Sequence, residues 1–171
     1  KEPFIQHYFN KYCDPPLPPG YMIFEIISFG QLCQLYDQII SCQARTNIHQ
    51  YYSLSHKVFS SWLQNFNYLR NICAHHSRLW NRQLHIFPTI LKKSKIHPWL
   101  REDTIKNLRN NNNQKIFIPL CNIQFILNII KPSHRFSHYL KETLEQYSNI
   151  YLREMGFPPE WESEPLWESG R

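Results

Sequence analysis

The chain has 171 residues, enough for one domain with a sizeable core, and its 42% hydrophobic and 15% aromatic content excludes a disordered chain. A net charge of +6 points to an anionic partner, with nucleic acid first among them. Five cysteines, an odd number without a Cys-x-x-Cys pair, argue against a disulfide framework or zinc ribbon and for a reducing, cytoplasmic setting.

Phe4 to Tyr12 reads as a short helix, with Phe4, Ile5, Tyr8, Phe9 and Tyr12 at helical spacing. Pro15, Pro16, Pro18 and Pro19 then forbid helix and make an extended connector. From Tyr21 to Ser41 the apolar spacing of Ile23, Ile26, Ile27, Leu32 and Leu35 or Tyr36 predicts one long helix, with Gly30 inside it at a close helix crossing. Cys42 to Gln50 is expected to be a polar connector. Ser53 or Ser55 offers an N-cap to a helix running from His56 to Ser77.

Placed on a wheel of about 100° per residue, that helix has two characters. Arg70, Asn71, Ala74, His75 and Arg78 share an arc of about 140°. Phe59, Trp62, Phe66, Leu69, Ile72 and Cys73 take the apolar side, and His76 points toward it. Trp80 is expected in the core, with base stacking as the lesser role.

Leu79 to His97 has no sustained period, and Pro88, Pro98, Lys92, Lys93 and Lys95 suggest an irregular, basic, exposed loop. Arg101 to Asn110 is predicted to be a short helix with Ile105 and Leu108 inward. The four asparagines Asn110 to Asn113 mark a loop. Ile116 to Lys131 reads as a buried helix stopped by Pro132, although Ile116 to Leu120 alone also suits a strand; Pro119, Asn122, Gln124 and Asn128 make the run too polar, and it is too short, to span a bilayer. No membrane association is therefore expected. Ser133 is expected to cap a helix over His134 to Tyr147, with Phe136, Leu140, Leu144 and Tyr147 inward. In the tail, Trp161 and Trp167 are expected to clamp the chain onto the rest. The sum is an all-α protein, an antiparallel helical bundle of four to five main helices. Its expected divisions are an N-terminal helix and Pro-rich connector over 1–20, a bundle over 21–152 and a Trp/Pro-rich tail over 153–171.

The chemistry-bearing stretch is Tyr68 to Arg82, with three arginines, two histidines and two asparagines. Nine histidines in the chain make a bare Arg-x4-His commonplace, so the weight lies on its setting along one helix face. Arg70 offers a fork of N–H donors to a phosphate. His75 carries a side chain that titrates near neutrality and can move a proton. Asn71, four residues before His75, can orient the ring or donate to phosphate. Arg78 and Arg82, and His76 with them, are candidate RNA contacts. A zinc site from Cys73, His75, His76 and His85 has no finger or ribbon spacing. No carboxylate cluster accompanies the motif, so no metal and no cofactor are expected.

The run "LRNICAHHSRLWNR" resembles the corresponding block of the Abi-like (AbiD/AbiF-type) abortive infection proteins. Arg70-Asn71-Ile72-Cys73-Ala74-His75 looks like the catalytic motif of the HEPN superfamily of ribonucleases. The blocks "LPPGYMIFEIISFGQLCQLY" (Leu17 to Tyr36) and "MGFPPEWESEPLW" (Met155 to Trp167) are similar to the same family in the same order. Family members are nearly twice this long, and the chain resembles their C-terminal half, so a missing N-terminal half counts among the expected partners. The resemblance implies a HEPN-like bundle and a metal-independent endoribonuclease, the RNA-cleaving toxin of a phage-defence system. It also implies a homodimer through the Arg70–His75 helix, which would set two Arg and two His around one cleft. The alternative is a non-catalytic RNA-binding or regulatory module that holds a structured RNA.

Overall fold

The computed structural model describes residues 2–40, 42–94, 96–110, 114–147 and 151–168. Among these residues the regular structure is entirely helical. The chain forms two compact units, Lys1–Ile39 and Ile40–Arg171.

The first unit holds α1 (Pro3–Lys11), α2 (Gly20–Phe24) and α3 (Phe29–Gln38). Tyr8 is the buried residue of α1, and its hydroxyl donates to the Pro15 carbonyl at 2.8 Å, with the Leu17 carbonyl at 3.1 Å. That contact folds the proline-rich connector back onto the helix. The single helix expected over Tyr21 to Ser41 is two helices. Ser28 ends the continuity: its hydroxyl accepts from Gln31 N at 3.2 Å, and the Gln31 side chain accepts from Ser28 N at 2.8 Å. This reciprocal capping box satisfies two end-of-helix donors and starts α3 afresh. Gly30 therefore sits in a first turn and not at mid-helix.

The second unit begins with α4 (Gln43–Tyr51), where a polar connector was expected. Its side chains are exposed or half-buried, so no apolar stripe announced it. The organising element is α5 (His56–Ala74), capped by Ser55, whose hydroxyl accepts from Val58 N at 3.4 Å. Phe59, Trp62, Asn65, Leu69 and Ile72 recur at helical spacing and are buried. Trp62, fully enclosed, stacks on Trp99 at 5.8 Å and meets Phe125 edge-on at 5.5 Å.

Next comes α6 (Glu102–Asn110), with Ile105 and Leu108 buried as the sequence predicts. The expected asparagine loop lies, over residues 111–113, outside the described residues. The hydrophobic α7 (Phe117–Ile130) packs against α5, against α8 (Phe136–Gln146) and against α9 (Pro165–Glu168). Ser133 does not cap α8: the N-cap residue is Arg135, which makes no side-chain cap bond, and the His134 ring nitrogen Nδ1 just before it accepts from Phe136 N at 3.0 Å. Tyr147, expected inward, is exposed, because α8 lies shallowly and buries only Ser137. Between α8 and α9 the tail makes two 3-10 turns, Leu152–Met155 and Trp161–Ser163. Trp161 and Trp167 are buried and meet edge to face at 5.1 Å, and Trp167 stacks on Phe136 of α8 at 6.4 Å.

The segment between α5 and α6 is irregular, as expected, but it is strapped down. Trp62 Nε1 donates to the Thr89 carbonyl at 2.9 Å and Asn65 Nδ2 to the Ile86 carbonyl at 2.7 Å. The Ser61 hydroxyl accepts from Thr89 N at 2.9 Å. Four of its own residues, Leu84, Pro88, Trp99 and Leu100, are buried. Its backbone groups thus find partners on the polar atoms of α5, as buried backbone must. All five cysteines are free thiols, and burial pushes the thiol of Cys121 well above its ordinary range. Among the described residues no helix is long and apolar enough to cross a membrane.

Candidate functional site

The carboxyl end of α5 carries the candidate residues. The helix stops at Ala74, three residues short of the expected Ser77. His75 is the C-cap, and its N–H still donates to Asn71 O at 3.0 Å. His76 takes a left-handed conformation with φ 50°. His76 N then donates to Cys73 O and Ser77 N to Ile72 O, both at 3.0 Å. This is a Schellman turn with histidine at the position glycine usually occupies.

The early stop re-aims the side chains. Extended as a helix, the wheel sends His76 to the apolar side; in the left-handed turn it faces solvent. Cys73, also placed on the apolar side, is exposed. Arg70, Asn71, Ala74, His75 and Arg78 are all exposed, as the basic face required. Arg70 Nη1 donates to Asn71 Oδ1 at 3.1 Å, a bond between neighbours that orients the guanidinium. Arg82 is half-buried and its Nη1 donates to the Arg78 carbonyl at 3.4 Å. The guanidinium of Arg78 lies 6.0 Å from the ring centre of Trp80.

Trp80 corrects the sequence reading most clearly. Expected in the core, it is 37% exposed. The next residue, Asn81, is left-handed with φ 50°. From the rear, Lys115 Nζ donates to Asn81 Oδ1 at 2.7 Å and to its carbonyl at 3.2 Å. Leu84 is fully buried and its N–H donates to the Gln114 carbonyl at 2.9 Å. Behind that turn, Gln83 and Lys115 line a groove of about 660 Å³ that also takes in Asn107, Arg153 and Phe157.

The electrostatics are one-sided. From Gln38 to Arg101 the sequence holds nine lysines and arginines and no acid. Among the described residues no carboxylate pairs with Arg70, Arg78 or Arg82; ion pairs form instead at sites that include α6, α8 and the junction of α8 with the tail. Among those same residues no group of three or more His, Cys, Asp or Glu side chains is arranged to hold a metal ion. Arginine and histidine facing water with no acid partner form a surface suited to a polyanion.

An all-α protein with an exposed, acid-free basic helix end is the class that fold and site define. Residues 1–81 match the family model described as Abi-like protein, a match that supports assigning the chain to the Abi-like family. The matched span includes the block Leu17 to Tyr36 and the motif Arg70 to His75; Arg82 and the tail block Met155 to Trp167 lie beyond it. No curated protein and no solved structure matches the chain.

Proposed function

We propose that the chain is a metal-independent endoribonuclease of HEPN type, the RNA-cleaving toxin of an abortive infection system that defends bacteria against phage. The observation that carries the reading is the end of α5. Arg70, Asn71 and the C-cap His75 face solvent together there, within a stretch devoid of acids. Arg70 holds the scissile phosphate through its guanidinium fork, set in place by Asn71. A ribose 2′-oxygen attacks phosphorus and loses its proton to a base. The bond from phosphorus to the 5′-oxygen breaks, and that oxygen takes a proton from an acid. The products are a 2′,3′-cyclic phosphate and a 5′-hydroxyl. One chain presents one His75, so acid and base come from two copies that meet across Ala74, which is small and exposed. His76, Arg78 and Arg82 extend the grip on RNA.

Incubation of the purified protein with RNA in EDTA, with end mapping, tests the proposal. His75→Ala is expected to lose about two to four orders of magnitude in rate. Arg70→Ala is expected to lose about 3 kcal/mol of transition-state stabilisation. Both side chains are exposed, so both variants are expected to keep the parent's circular dichroism. Cleavage that requires added divalent metal, or products with 5′-phosphates, would sink the proposal. RNA bound but never cut by the parent favours a non-catalytic RNA-binding module.

A further inference from the structure

We propose that Trp80 is a stacking platform for one unpaired base of single-stranded RNA, an assignment that rests on RNA being the ligand of the basic face. Four of the five tryptophans, Trp62, Trp99, Trp161 and Trp167, are at most 5% exposed, whereas Trp80 is 37% exposed. An indole that fills no core and sits this far out in a folded chain is free to meet a partner. Its backbone is held still. Asn81, directly after it, is pinned from the rear by two bonds from Lys115, at 2.7 and 3.2 Å. Arg82 bridges back to the Arg78 carbonyl, and Arg82 N donates to Leu79 O at 3.1 Å. Leu84 anchors the far side in the core. A platform fixed in advance loses little freedom when a ligand arrives.

The surroundings select the ligand. An indole 37% exposed, with the Arg78 guanidinium over its ring, suits a nucleobase stacked beside a cation, and base–aromatic stacking tolerates any sequence. Arg78, 6.0 Å from the ring centre, supplies a cation for the phosphate of the stacked nucleotide. The acid-free stretch from Gln38 to Arg101 leaves no sequence neighbour to repel that phosphate. A duplex keeps its bases stacked on one another, so the platform prefers single strands.

Two measurements on the intact chain test this, using a short mixed-sequence 2′-O-methyl RNA, which lacks the attacking hydroxyl and is not cut. Binding is read by anisotropy of a label on the RNA, and stacking by quenching of tryptophan emission. The parent is expected to bind and to show saturable quenching. Trp80→Phe, which keeps a ring, is expected to bind within a few-fold of the parent while losing most of the quenching. Trp80→Ala is expected to weaken single-strand binding about 5- to 150-fold, the range of one stacked base, and to affect duplex binding less. Trp80→Ala binding as tightly as the parent, with quenching intact in Trp80→Phe, overturns the platform while leaving RNA binding in place. Failure of the parent to bind RNA by anisotropy removes the RNA reading and the platform with it. Parent emission that changes with protein concentration and not with RNA identifies a second copy as the occupant and overturns the assignment.

Discussion

Replacing Glu164 should show how the tail is joined to the rest of its unit. The residue is 3% exposed, and its carboxylate reaches the start of α6. One oxygen accepts from Arg101 N at 2.7 Å and the other from the Thr104 hydroxyl at 2.6 Å. Arg101 returns the contact, its guanidinium donating to Ser163 Oγ at 3.2 Å and to the Ser163 carbonyl. Glu164 thus serves α6 as an N-terminal cap supplied from a distant part of the chain, where a negative charge also meets the positive end of the helix dipole. Hydrogen bonds to a charged group are worth about 1.5–3 kcal/mol each, so the two together give about 3–6 kcal/mol. Desolvation of the carboxylate offsets part of that, which leaves about 3 kcal/mol for Glu164→Ala. With a urea slope of about 2 kcal/mol/M, the unfolding midpoint falls by about 1.5 M. Glu164→Gln keeps an acceptor for Arg101 N and an amide for Thr104, so its loss is about half as large. Thr104→Val removes one bond and costs about 1–1.5 kcal/mol, and the pair Glu164→Ala, Thr104→Val should be non-additive by about 1 kcal/mol. Urea titration followed by far-UV circular dichroism reads all four. The reasoning fails if Glu164→Ala lies within about 0.5 kcal/mol of the parent, below what any lost buried bond costs, or if Glu164→Gln is the worse of the two.

Stability should also depend on pH through His134. Burial, and after it the Lys131 ammonium, hold its imidazolium below the ordinary 6.5. The neutral ring is the bonded one, accepting from Phe136 N at 3.0 Å and meeting Asn128 Oδ1 at 2.8 Å. As pH falls the unfolded chain takes up its proton first, so this contribution is complete above the unfolded pKa and is lost as pH drops through the lower folded value. His134→Asn should therefore lose less stability than the parent between about pH 7 and pH 5; equal losses in paired urea titrations would contradict this. His76→Gly should raise stability by about 1 kcal/mol, because glycine adopts the left-handed C-terminal turn without the Cβ penalty. A lower urea midpoint for that variant would count against the turn.

Much of α5 was legible because a helix writes its buried face into the sequence every three or four residues. Phe59, Trp62, Leu69 and Ile72 gave the face, Ser55 the start, and Arg70 and His75 the exposed side opposite. The two-helix break at Ser28 was written as well, in the Ser-x-x-Gln of a capping box, but the apolar period running across it hid the signal. α4 left no such trace, since a helix without a buried stripe has no period to read. What only the tertiary structure decided are partnerships made across long gaps. The segment after α5 looks like a free loop until Trp62 and Asn65 meet carbonyls 27 and 21 residues away. Glu164 is one acid in an acidic tail until it meets Arg101, 63 residues earlier. Trp80 is a hydrophobic residue like any other until Lys115, 34 residues after Asn81, fixes the turn there and leaves the indole in water. Periodicity reports the environment of a residue within its own helix. It holds no record of which distant side chain will satisfy a loop's backbone, and in this chain those bonds set where the aromatic next to the basic face ends up.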